Sequence, residues 1–189
     1  RDYGPVGIHE QTGMLGVIDT TYRHWAYRQD DDALPCKIAT EAQAACYQTQ
    51  LILDGGNYMT DGHGTVFVTE RIYEWNDHLT EAQVDGLLED YLGASTIHAL
   101  AYARDAWGDP ADGTGHIDMF AKLLDACNVL VAQTDEDPFQ VPLEQAAAFF
   151  AGLECAPGQT YTVHRVPGWT RWGTWYTYTN SLIVNQTVI

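Results

Sequence analysis

The chain has 189 residues and a hydrophobic share of 46%, which suits one domain with a proper core. Its 26 acidic and 9 basic residues give a formal net charge of −17, which weighs against nucleic-acid backbones and anionic membranes as partners and favours cationic ligands. Solubility of a secreted or salt-exposed protein accounts for the same acidity.

In chain order, GVIDTTY (16–22) reads as a strand and PCKIATEAQAACY (35–47) as a helix with Pro35 in its first turn. TQLILDGGN (49–57) is a short apolar strand ending at glycines. TDGHGTVFVTE (60–70) predicts a hairpin turn at Asp61-Gly62 and Gly64, then a strand. LTEAQVDGLLEDYLG (79–93) is the firmest helix: Thr80 caps it, Gln83 holds the capping-box position and Gly93 ends it. Its Val84, Leu87, Leu88, Tyr91 and Leu92 share one face. DMFAKLLDA (118–126) predicts a helix, NVLVAQT (128–134) a strand and PLEQAAAFFAGL (142–153) a helix. YTVHRV (161–166) and YTNSLIVNQTVI (178–189) predict strands. Between them, VPGWTRWGTWYTYTN (166–180) is an aromatic loop that either borders a pocket or packs as a lid. The order is mixed α/β, and the hairpins exclude a strictly parallel chain. No sequence repeat is clear, yet a repeated strand–hairpin–helix unit fits the order.

Cys36, Cys46, Cys127 and Cys155 show no zinc spacing. Two disulfides in an oxidising compartment, with the pairing open, and four buried thiols are both compatible with the spacing. The NQT at 185–187 is a glycosylation acceptor only in a eukaryotic secretory host. No signal peptide or long apolar span is visible, and both ends read as cut.

The candidate chemistry lies on glycine-shaped turns near strand ends. Asp2 precedes Gly4-Pro5; Asp54, Asn57, Asp61 and His63 surround a second turn; Gly113 and Gly115 precede His116 and Asp118; Asn180 opens the last strand. Each has a plainer role. Asp2 caps a turn, Asp118 serves as a first-turn carboxylate of a helix, His116 is structural, and Asp61 and His63 are turn residues. The acidic runs QDDD (29–32) and TDEDP (134–138) lack the calcium-loop pattern and read as solvated surface. No metal or cofactor is expected.

RDYGP, VIDTTY, GGNYMTDGHGT, LTEAQV, GHIDMFAK and YTNSLIVN, in this order, resemble the bacterial-type peptidylarginine deiminases, relatives of agmatine deiminase among the guanidino-group-modifying enzymes. The similarity runs over essentially the whole chain. It implies an α/β fold of pentein type, a pseudo-five-fold propeller of which residues 1–189 form an incomplete portion of the catalytic domain. Asp2 and Asp118 would then grip the guanidinium, His116 would be general acid and base, and Asn180 a pocket residue near the nucleophile. Asp54 stands where some relatives carry an acidic residue, with a minor role. The family's nucleophile is a cysteine in a glycine-rich stretch ending in His-Cys, and none of the four cysteines has that context. It is expected beyond Ile189, or on a separate chain that docks back.

The tryptophan expected before RD is absent, and Arg23 and Arg28 are spaced unlike a clamp for a terminal carboxylate. That spacing favours internal arginines or another guanidine, and GGNYMTDG and YTNSLIVN lean to the peptidyl type, so the resemblance implies a secreted enzyme that converts peptidyl-arginine to citrulline. The alternatives are a deiminase of a small guanidine such as agmatine, and a non-catalytic guanidinium binder. The partner would be an arginine-containing peptide or a small guanidine, without nucleic acid or membrane. The chain by itself is expected to be inactive, and weakly stable or oligomeric.

Overall fold

The structure is a computed structural model that describes residues 4–22, 28–181, 183–184 and 187–188. Among these, three modules of one topology follow each other. In each, a short strand pairs antiparallel with a central strand, a helix follows, and the next strand returns parallel to the central one. The first module is β1 (Val6–His9), β2 (Leu15–Thr21), the short α1 (Gln29–Asp32), α2 (Leu34–Glu41) and β3 (Ala45–Ile52), in sheet order β1-β2-β3. The second is β4 (Met59–Thr60), β5 (Thr65–Thr69), α3 (Arg71–Trp75), α4 (Glu81–Leu92) and β6 (Thr96–Leu100), in order β4-β5-β6. The third is β7 (Ala121–Leu123), β8 (Asn128–Gln133), α5 (Gln140–Gly152), the hairpin β9 (Glu154–Ala156) and β10 (Gln159–Thr160), and β11 (Thr162–Pro167). Its three-stranded sheet runs β11-β8-β7. The ribbon β12 (Trp169–Arg171) and β13 (Thr174–Tyr176) and the hairpin β14 (Ile183–Val184) and β15 (Thr187–Val188) complete the order.

The repeated unit foreseen from the element order is thus present although its sequences have diverged. Parallel pairing fixes the three registers at Gly16↔Ala45, Thr65↔Thr96 and Asn128↔Thr162. The period-two alternation of β5 couples neighbouring modules. Val66 and Val68 pack with Leu51 and Leu53 of the first module and with Val84 and Leu88 of α4. Phe67, between them, belongs to the other core, with Phe150 and Leu143 of α5 and with Tyr161. The central strand is therefore buried on both faces, and each such apolar side chain contributes about 1.5–3 kcal/mol of transfer free energy.

Helix α4 forms as its caps dictate. The Thr80 hydroxyl accepts from Gln83 N, the Gln83 side chain accepts from Thr80 N, and Gly93 takes the left-handed conformation at φ 67°. Three expectations are corrected. Residues 118–126 are not a helix: Ile117–Met119 make one 3-10 turn and β7 follows. The apolar run is too short to hold a helix against pairing of Ala121 with Val131, which buries Ala121 and Phe120. Helix α2 stops at Glu41, because Gln43 at φ 55° turns the chain so that Cys46 enters β3. The last predicted strand is interrupted, with residues 178–181 outside regular strands ahead of β14.

The cysteines form Cys36–Cys46, joining α2 to β3, and Cys127–Cys155, joining the approach to β8 with β9. Each closes within one module. Among the described residues, no helix is long and apolar enough to cross a membrane.

Candidate active site

The segments after β3 and β6 occupy equivalent places, each leaving the last strand of one module for the first strand of the next. Both form a single 3-10 turn, Gly55–Asn57 in one and Ile117–Met119 in the other. The two turns pack together, with Gly56 facing His116 and Asp118. A Cβ on Gly56 would lie 2.6 Å from His116 Nδ1 and 3.0 Å from both carboxylate oxygens of Asp118. The missing side chain is what lets an imidazole and a carboxylate gather over that backbone. On the other ring nitrogen, His116 Nε2 lies 3.3 Å from Asp54 Oδ2. His116 is 1% exposed, and Asp54 is fully buried.

Asn57 fixes the turns to each other. Its Oδ1 accepts from Thr69 N and Thr69 Oγ1 at 2.9 Å, and from Ile117 N at 3.3 Å. The Thr69 hydroxyl also lies 2.5 Å from Gly115 O, immediately before His116. The approach to His116 is itself shaped by Asp112, whose Oδ1 accepts from Thr114 N and Gly115 N at 2.7 Å. Gly115, at φ 70°, passes against the Tyr102 ring. On the remaining side, Trp75 of α3 stands perpendicular to the His116 ring at 5.7 Å between centroids.

The segment after β11 joins from the third module. The Thr179 hydroxyl donates to Asp118 O at 2.8 Å, and Asn180 Nδ2 lies 3.3 Å from Met119 Sδ. Trp175 secures the ribbon: its Nε1 donates to Met119 O at 3.0 Å and its ring stacks on Phe139 at 4.0 Å. The aromatic loop is therefore in part a packed structure. Its other tryptophans differ: Trp169 stacks on Tyr176, and Trp172 at the tip is 84% exposed.

Of the sequence candidates, the fold brings His116 and Asp118 together and sets Asn180 beside the Asp118–Met119 backbone. Asp2 lies outside the described residues, as do Arg23, His24, Trp25, Ala26 and Tyr27. Arg28 pairs with Asp31 at 2.5 Å in an exposed position. Asp61 and His63 are turn residues: Asp61 Oδ1 accepts from His63 N at 2.7 Å and Thr65 N at 3.0 Å. Sequence reasoning underweighted Asp54 and missed Gly56 and Trp75. The glycine pair after an apolar strand was the available signal for the first two. Among the described residues, Asp19 with Cys36 and Cys46 groups potential metal ligands, but the two sulfurs are joined in a disulfide.

A buried imidazole between carboxylates, at the meeting of strand ends, has the parts for moving protons at a planar cation. Carboxylates match a guanidinium fork, and a buried His–Asp pair sets imidazole orientation.

The sequence model of Porphyromonas-type peptidyl-arginine deiminase matches residues 1–189. The agmatine deiminases of Stutzerimonas stutzeri and Pseudomonas putida are each 29% identical over 181 residues, covering 88% of this chain and 48% of each relative. The chain spans about half the length of the curated relatives it matches. Among solved structures, agmatine deiminase of Enterococcus faecalis superposes with a TM-score of 0.74 at 25% identity, covering 88% of this chain and 48% of that one. The C. jejuni agmatine deiminase gives 0.77 at 22%, covering 100% and 57%. These likenesses place the three modules in a pentein-type α/β fold. The chain belongs to the Porphyromonas-type peptidyl-arginine deiminase family of guanidino-group deiminases.

Proposed function

We propose that the chain carries the guanidinium-gripping and proton-transfer part of a hydrolase that turns a guanidinium into a ureido group and ammonium. The observation that carries this reading is the meeting of Asp54, His116 and Asp118 over Gly56. Asp118, together with the Asp2 that the family resemblance implies, would hold the planar cation through paired N–H···O bonds and expose its central carbon. A cysteine thiolate from outside the 189 residues would add to that carbon, since all four cysteines here are in disulfides. His116 would give a proton to the departing ammonia, leaving a thiouronium. It would then take a proton from water, whose oxygen adds as the thiolate leaves. Positioned proton transfer of this kind is worth about 10²–10⁴ in rate. Asp54, at His116 Nε2, would set the tautomer and stabilise the imidazolium.

For the substrate, the named relatives support a small guanidine of the agmatine type. The family description supports peptidyl-arginine as the second reading. The two disulfides support folding in an oxidising compartment, hence a secreted protein. The test incubates the full-length protein separately with agmatine and with an arginine-containing peptide, and detects ureido products by mass spectrometry. Agmatine turnover is expected. Turnover of the peptide alone would reverse the choice. A haloacetamidine adduct on Cys36, Cys46, Cys127 or Cys155 would refute an external nucleophile.

A further inference from the structure

Around His116 the structure holds a charged network to which the proposed chemistry assigns no part. Its hub is Glu74 on α3. Arg71 Nη1 donates to Glu74 Oε2 at 2.8 Å, the Tyr102 hydroxyl donates to the same oxygen at 2.8 Å, and Arg104 Nη2 donates to Oε1. The two arginines lead from this hub to two aromatic rings. Arg71 Cζ lies 5.2 Å from the centre of the Trp75 ring, and Arg104 Cζ lies 4.1 Å from that of Tyr102. Each ring then meets the segment carrying His116, from a different direction. Trp75 stands across the imidazole itself. Tyr102 packs under Gly115, where an added Cβ would lie 3.1 Å from its Cε2.

We infer that Glu74 is a positioning residue for His116, acting through Trp75 on the ring and through Tyr102 on the backbone before it. One carboxylate thus ties together two walls that sequence separates by nearly thirty positions. Its charge is needed as well as its shape. Arg71 and Arg104 converge on it, and without it they would repel each other and release the rings they cover. Burial alone would raise the Glu74 carboxyl, but hydrogen bonds from Arg104, Arg71 and Tyr102 outweigh it and hold it below the usual carboxylate range. Burial, and then the bond to Glu74, push the Tyr102 hydroxyl up to about 12, so it stays a donor at physiological pH.

The inference rests on the reading of His116 as proton carrier, but its test does not depend on turnover. The full-length protein, labelled with 15N-histidine, is compared with Glu74→Gln and Trp75→Phe, and the His116 ring signals are assigned by their loss in His116→Gln. Removing the Glu74 charge leaves two cations uncompensated, so the rings they cover lose their anchor and the imidazole loses its fixed place. Glu74→Gln and Trp75→Phe are each expected to shift the ring signals. Glu70→Gln, which removes a looser contact at 3.8 Å from Arg104, is expected to leave them in place.

In deimination assays Glu74→Gln is expected to lower kcat by about tenfold to hundredfold with little change in KM, as misplacement of a catalytic group does. Ring signals that stay fixed in both variants of α3, with melting unchanged, overturn the inference. Shifted signals in a protein that turns over no guanidine would uphold the coupling and count against deimination alone.

Discussion

The two turns that meet at the site come from the same place in successive modules, yet they contribute opposite things. Residues 54–57 bring a buried carboxylate, two glycines and an amide; residues 116–119 bring an imidazole and a second carboxylate. The first turn makes room and the second fills it. Neither is a site alone, because His116 Nδ1 and the Asp118 oxygens occupy the space that a side chain on Gly56 would need. The repeated module supplies the convergence of loops, and the divergence of their sequences supplies the chemistry.

The largest effect that would break this pairing is expected at Asn57. Asn57→Ala removes an acceptor shared by Thr69 and Ile117 and leaves buried N–H groups without partners, at about 1–3 kcal/mol each. A loss of several kcal/mol in denaturant unfolding is expected. Unchanged stability would mean that Asn57 is not the tie between the turns. Gly56→Ala should come next, destabilising by about 1–3 kcal/mol through overpacking and displacing His116. Gly86→Ala in α4 is the contrast: nothing lies within 4 Å of the added Cβ, and stabilisation of about 0.5–1 kcal/mol is expected from helix propensity. The same change at two glycines should thus have opposite signs in thermal melts.

A smaller effect tests whether the third module belongs to the same arrangement. Thr179→Val deletes the donor to Asp118 O and the contact with Thr177 Oγ1 at 2.7 Å. The expected cost is about 1–2 kcal/mol, with recovery in Thr179→Ser, since a buried hydrogen bond of this kind contributes that much. If Thr179→Val melts like the parent, the segment after β11 is only draped over the Asp118 turn.

How much of this was legible in the sequence follows from the range of the interactions. Helix α4 was readable because Thr80, Gln83 and Gly93 act within one or two turns of chain. Strand β7 was not, because Met119–Leu124 suits either state by pattern and only pairing with β8 decides it. His116 and Asp118 stood out as a glycine-flanked motif. The weight of Asp54 depends on a contact across some sixty residues, and no local pattern carries that. Glu74 and Trp75 fall between two predicted elements, and no motif marked them. The cysteines formed the two pairs nearest in sequence, although spacing alone left the choice open.

The smallest expected effect sharpens the comparison by using another imidazole, on the strand that leads into the His116 segment. His98 on β6 lies among rings, 5.5 Å from Phe67 and 5.2 Å from Phe149, whereas His116 lies among carboxylates. Burial holds the His98 pKa below the ordinary histidine value. The unfolded chain therefore takes up its proton at higher pH than the folded one. The sign follows from linkage: stability is unaffected well above pH 6.5 and declines as pH falls through the unfolded value, because protonation favours the unfolded state. His98→Phe keeps an aromatic ring against Phe67 and removes the proton uptake. Melting temperatures measured from pH 8 to pH 5 should therefore fall less steeply in His98→Phe than in the parent. Equal slopes would mean that His98 takes up no proton on unfolding in this range and that its burial does not oppose its charge.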